Sequence, residues 1–443
     1  MRHLLLLGLL FAAADASADM AEHAHRGMVA GIDLVTYRTN VKDMVVILGA
    51  IPAGDAMSDG GNIAVPTLSG MMLDRGTKVL DKFAIAEKLD NVGAEVGFGV
   101  GPQSLEIHAR CLKRDLSLVM GLIAADLRTP ALLQAEFTKA KQQFVGELEA
   151  SAQNSGGRAR EAFDRAIFPA GHPNRPHTLN EYIEAARNAT LEDVKAFQAK
   201  YYGPAHMVLV VAGDVSDAET QSEITKAFSG WSGGQDYVHA VKPASLAAAN
   251  EISVTLVDKP SVTMILGQPT GLLYKDPDAL ALRVGTAILG HGFTGRLMGT
   301  VRDKEGLTYN ISANVSDDAI VDGAWDISAS FAPTLLAKGV AATRRELEKW
   351  WKDGVTDQEL ATRKQGMVGS YQVGMSTTGG IAGAILADIE RGYDLSRLDE
   401  YPKAVNALTR EQVNAAIHSH LNPAAMVLVK AGSITAGTAS PKP

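Results

Sequence analysis

Arg302 and Tyr309 stand seven residues apart at the close of "GHGFTGRLMGTVRDKEGLTY", residues 290–309. A guanidinium and a phenol are both suited to donate hydrogen bonds to a carbonyl oxygen, or to the oxyanion that forms when such a carbonyl is attacked. The same stretch opens with glycines at 290, 292 and 295 that satisfy G-x-G-x-x-G, a pattern that cradles pyrophosphate only where a strand turns into a helix. The residues before it, "DPDALALRVGTAIL", read instead as a helix. Asp276 is its N-cap, Pro277 its first residue, and Leu280, Val284, Ala287 and Ile288 share one face. A helix feeds the glycines, which therefore read as a break between two helices.

Other chemical patterns are weaker. "GWSGG" at 230–234 matches the serine elbow G-x-S-x-G, but Ser232 follows a helix and not a strand. The 11 histidines include no i, i+4 pair and neither H-E-x-x-H nor H-x-x-E-H, so they read as surface residues, with His23 and His25 in a flexible N-terminal stretch. Cys111 is the 1 cysteine; it reads as a small buried hydrophobe, and no intrachain disulfide is possible. "GFGVG" at 97–101 reads as a strand whose glycines admit a close neighbour.

The elements that must position Arg302 and Tyr309 follow from local signals. Lys304 or Glu305 closes a helix, Gly306 supplies a left-handed turn, and "LTYNISANV" is the strand that holds Tyr309 beside the arginine. That unit sits in a duplicated chain. "TLEDVKAFQAKYYGPAHMVLVVAG" (190–213) and "TREQVNAAIHSHLNPAAMVLVKAG" (409–432) are identical at half of their positions, and each reads as a Thr-capped helix, a proline stop and a strand. "VTYRTNVKDMVVILG" (35–49) likewise matches "VTLVDKPSVTMILG" (254–267) with one gap. The blocks of strands and helices predict an α+β fold of two tandem homologous domains, each an antiparallel or mixed sheet covered by helices. The first domain is expected over 19–231, a connecting segment rich in Gly, Pro, Ser and Ala over 232–250, the second domain over 251–433, and a tail over 434–443.

Composition narrows the function classes. A formal charge of −8, without a long run of Lys or Arg, argues against nucleic acid as the partner. "MRHLLLLGLLFAAADASAD" has a positive flank, a short apolar run and a small-residue cleavage site, so residues 1–18 read as a signal peptide and the mature protein is expected in the periplasm. No stretch reaches the roughly 20 apolar residues of a transmembrane helix.

The stretch "LGHGFTGRLMGTVRDKEGLTYNISANV" (289–315) resembles the second-domain signature of the insulinase/pitrilysin family of zinc peptidases, in its mitochondrial-processing-peptidase-like branch of two-subunit members. The resemblance covers nearly the whole mature chain and implies tandem α+β domains. In active members the first domain carries H-x-x-E-H ahead of Gly-Thr, with a further glutamate on a later helix. Counting back from Gly76-Thr77, the histidine positions here are Thr67 and Met71 and the glutamate position is Gly70, while Glu147 stands about where the third ligand would be. Arg302 and Tyr309 match the family's donor pair, and the resemblance implies that Gly292 and Gly295 permit close approach of backbone to backbone or to a bound peptide. The resemblance thus implies a metal-free subunit with no cofactor of its own. Its partner would be a homologous chain bearing H-x-x-E-H and Zn²⁺, and its substrate a peptide. An inert scaffold or peptide-binding protein of the same fold is the alternative, and a self-sufficient hydrolase using Ser232 or Cys111 a remoter one.

Overall fold

Leu105–Leu112 is apolar at 105, 107, 109 and 111 and is buried on that same period, as a strand with one covered face requires. In the computed structural model, which describes residues 20–434 except 59, 236–243, 246–248 and 317, it is the fifth of eleven strands among the described residues. The first sheet comprises β1 (Ala24–Val29), β2 (Ile32–Arg38), β3 (Met44–Ile51), β4 (Glu95–Val100), β5 (Leu105–Leu112) and β6 (Val208–Gly213), in the order β1-β2-β6-β3-β5-β4. The second comprises β7 (Glu251–Thr255), β8 (Val262–Pro269), β9 (Thr308–Ser316), β10 (Ala324–Phe331) and β11 (Val427–Gly432), in the order β7-β11-β8-β10-β9. Each sheet has one parallel pair, β2 with β6 and β7 with β11; the other neighbours are antiparallel. This is the expected α+β fold with two tandem domains. The expected signal peptide, most of the tail and part of the connecting segment lie outside the described residues.

The repeat is realised where it was read. Thr190 caps the helix Leu191–Tyr201 in a reciprocal box with Asp193, and Thr409 caps Arg410–His420 with Gln412; each helix feeds the strand, β6 or β11, that sits beside the parallel neighbour. Two readings need correction. His23 and His25 belong to an ordered segment: Met20–His23 is a short 3-10 turn whose first two N–H groups are held by Asp399, and His25 lies in β1, an additional strand paired along its length with β2. The helix before the glycine loop spans Ala279–Gly290, because Asp276 spends its carboxylate on Leu273 N and the chain turns into helix only after Asp278.

Each sheet is covered on one face by helices of its own half and on the other by one helix from the opposite half. Ser155–Ile167 crosses to the second sheet, where Phe163 and Ile167 pack with Ile265, Val427 and Val429. Thr378–Glu390 crosses to the first, where Ile381 and Ile385 pack with Val35, Val46 and Val210. Each fully buried aliphatic or aromatic side chain is worth about 1.5–3 kcal/mol, so this exchange joins the halves through two apolar cores.

Candidate functional site

Arg302 is carried on Met298–Lys304, a π-helical segment in which Glu305 N reaches Thr300 O at 3.0 Å; such segments are rare and concentrate at functional sites. Gly306, at φ +63°, ends it in the left-handed turn expected of it. The next residues enter β9, an edge strand, with an irregular register: Ile311 pairs with Ala329 but Thr308 with Phe331, so β9 carries one extra residue across this interval. The bulge falls at Tyr309 and Asn310. Simple alternation would set Tyr309 on the face of buried Ile311, whereas the extra residue turns it outward, and Tyr309 is 84% exposed.

The Arg302 guanidinium carbon then lies 5.0 Å from the Tyr309 ring centroid and 5.1 Å from that of Phe293. Among the described residues its one ionic approach is Nε to Asp303 at 3.8 Å, and its side chain makes no hydrogen bond. The donors are therefore held in place while remaining available. Phe293 was not singled out in the sequence; its place inside the glycine loop was the available signal. Gly292 adopts φ +66°, and a Cβ at Gly295 would lie 3.1 Å from the Gly290 backbone, so both glycines shape the loop itself.

The positions expected to have held metal form a separate place. Thr67, Gly70 and Met71 lie on the helix Val65–Met71 and line a cavity of about 190 Å³ with Asp74, Arg75, Phe98, Val100 and Gln143. The donor set does not fit Zn²⁺. Thr67 gives its hydroxyl proton to Asp55 at 3.0 Å, Gly70 has no side chain, and Arg75 adds a fixed cation that donates to Met71 O and Gln143 Oε1. A Cβ at position 70 would overlap Val100 Cγ2, so Val100 occupies the space a side chain there would need. Glu147 is exposed and accepts from Gln143 at 2.9 Å, the arrangement of a solvated helix glutamate. Among the described residues no group of three or more His, Cys, Asp or Glu is placed to hold a metal ion. Among the described residues no hydrogen bond, ion pair or ring contact joins this cavity to Arg302 or Tyr309.

Burial perturbs several carboxyls nearby. Asp55 is pushed up to about 6 by desolvation, against hydrogen bonds from Thr67 and Tyr182 that lower it. Asp126 is pushed up to about 7 by desolvation and by neighbouring Asp74, and its Oδ1 has no hydrogen-bond partner. Burial also raises the Cys111 thiol to about 11, which suits the inert role expected of it.

One histidine departs from the surface reading. His172 is 3% exposed, stacks on Phe168 at 4.5 Å and bonds through Nε2 to Asp322 Oδ1 at 2.9 Å. Asn174 N donates to its Nδ1, so Nε2 carries the proton, and Ala244 N donates to Asp322 Oδ2 at 2.9 Å. Asp322 thus gathers both halves and the connecting segment at one buried carboxylate. With both ring nitrogens engaged, His172 has none left to activate a nucleophile. Ser232 sits outside any strand-to-helix turn, between the helix Asp217–Phe228 and the positive-φ glycines 233 and 234.

Residues 188–367 match the family described as the peptidase M16 inactive domain. An uncharacterized zinc protease of Streptomyces coelicolor is 24% identical over 371 residues, covering 80% of this chain and 79% of its own. The non-peptidase homolog YmxG of Helicobacter pylori is 23% identical over 369 residues, covering 83% of each chain. The crystal structure of a peptidase M16 inactive domain from Pseudomonas fluorescens superposes with a TM-score of 0.86 at 24% identity, over 93% of this chain and 98% of that one. The resemblance read from "RDKEGLTY" and its surroundings is borne out.

Proposed function

We propose that this chain, a homologue of the M16 zinc proteases that carries an M16 inactive domain over residues 188–367, is the metal-free subunit of a heteromeric peptidase. A partner of similar fold would bring the H-x-x-E-H helix and its Zn²⁺. This chain would close the chamber and offer Arg302 and Tyr309 to the carbonyl of an extended peptide, whose backbone can add to a sheet edge such as β4 or β9. The leader-like N-terminal sequence supports a periplasmic location for such a complex.

The observation that carries this reading is the contrast between two sites in one chain. The cavity at Thr67, Gly70 and Met71 lacks metal ligands and holds Arg75, whereas Arg302 and Tyr309 stand together with their donors unspent. A bulge that exposes a tyrosine and a ring-seated arginine without hydrogen bonds contribute little to folding, which favours use by a ligand over mere descent. Tyr309→Phe tests it. The ring that seats Arg302 remains and only the phenolic donor goes. Losing one preorganised oxyanion donor costs roughly 2.7–4 kcal/mol of barrier, so turnover by the complex is expected to drop by two orders of magnitude or more. Unchanged turnover would leave the inert scaffold as the better account, in keeping with a relative described as a non-peptidase homolog.

A further inference from the structure

We propose that Phe293 is a positioning residue for Arg302, and that the glycine loop around it serves to aim its ring. The inference deepens the reading of Arg302 as a donor to the peptide and rests on it. The loop follows the helix Ala279–Gly290, and Gly292 at φ +66° has open space where a Cβ would stand, so conformation and not crowding selects glycine there. Clamps hold the loop on either side of Phe293. Arg363 donates to His291 O at 3.1 Å and to Thr294 Oγ1 at 3.3 Å. Arg296 forks onto Glu359 with two bonds of 2.7 Å and reaches Gly354 O at 2.9 Å.

A loop fixed this firmly nevertheless leaves Phe293 74% exposed, so packing into a core is not its purpose. The contact it does make is with the Arg302 guanidinium, 5.1 Å from the ring centroid. An attraction between cation and ring face uses the charge and leaves the N–H donors unspent. Because the Arg302 side chain makes no hydrogen bond among the described residues and Asp303 approaches only its Nε, at 3.8 Å, Phe293 and Tyr309 are the contacts that direct the guanidinium. Tyr309 supplies a ring and a donor; Phe293 supplies a ring alone. The glycine pattern that suggests a phosphate cradle is accounted for by this support.

Two readouts test the proposal. In the lone ¹⁵N-labelled chain, the Arg302 Nε–Hε resonance is expected to show a ring-current shift that Phe293→Leu diminishes and Phe293→Tyr preserves. In the complex purified through a tag on this chain, Phe293→Leu is expected to lower turnover of a quenched fluorescent peptide about tenfold with little change in KM, and Phe293→Tyr to restore it. An Arg302 resonance unmoved by Phe293→Leu overturns the proposal, as does a moved resonance with turnover unchanged. The first readout needs no partner. A wild-type chain with the expected resonance in an inactive complex would therefore overturn the proposed function while supporting the placement of Arg302.

Discussion

Adding a single methyl group at position 70 should reveal how tightly the helix Val65–Met71 is packed against β4. Gly70 lies in the helix Val65–Met71, where replacing Gly by Ala ordinarily gains up to about 1 kcal/mol of helix propensity. Here the new Cβ would overlap Val100 Cγ2, with Leu105 Cδ1 at 3.5 Å on another side. Val100 is β-branched and held on β4, so it yields poorly, and overpacking of this kind costs about 1–3 kcal/mol. Gly70→Ala should therefore be neutral or destabilising by up to about 2 kcal/mol. In a Val100→Ala background the obstruction is gone and the same change should stabilise by up to about 1 kcal/mol. The cycle should thus show a coupling of roughly 1–3 kcal/mol. Urea unfolding with an unchanged m-value is the assay. An equal stabilisation of about 1 kcal/mol in both backgrounds would refute the claim that Val100 has filled the place of the missing side chain.

Other expectations concern charge and burial. Asp126, pushed up to about 7, keeps its proton in the folded chain but releases it near the ordinary carboxyl range when unfolded. The folded state therefore binds more protons across that window, and stability falls as pH rises from about 4 to 7, by on the order of 4 kcal/mol at most. Asp126→Asn should stabilise the protein at pH 8 and flatten this slope in denaturation curves, leaving the acid limb to partnered carboxylates such as Glu359, held down at about 2 against desolvation by its bonds to Arg296 and Thr356, and Glu136, held at about 2 by its bonds from Lys82 and Lys139. Asp322→Ala would strand His172 Nε2–H and Ala244 N–H without acceptors, at a cost of roughly 2–6 kcal/mol in urea unfolding. Asp322→Asn, which keeps one acceptor, should cost less.

What the sequence disclosed was local or repeated. The threonine caps, the strand endings and the Gly306 turn are set by neighbours within a few residues, and the duplication displayed each of them twice. Arg302 and Tyr309 were legible through the family resemblance of their surroundings and not through spacing alone. Features built from distant residues were not. His172 looked like any surface histidine because its partner Asp322 is separated from it by 150 positions. Arg75 gave no sign of entering the cavity, since that depends on Gln143 and Glu136 from another helix. The outward turn of Tyr309 depends on an extra residue relative to β10, which alternation within β9 alone cannot reveal. β1 was misread because "AHRGMV" lacks an apolar period; its pairing with β2, not burial, orders it.

The most direct test of the central claim is the zinc content of the complex purified through this chain, measured before and after its subunits are separated. The account predicts zinc with the partner chain, none above background with this one, and peptidase activity only in the reassembled pair. Stoichiometric zinc retained by this chain alone, at the cavity lined by Thr67, Met71 and Arg75, would contradict it.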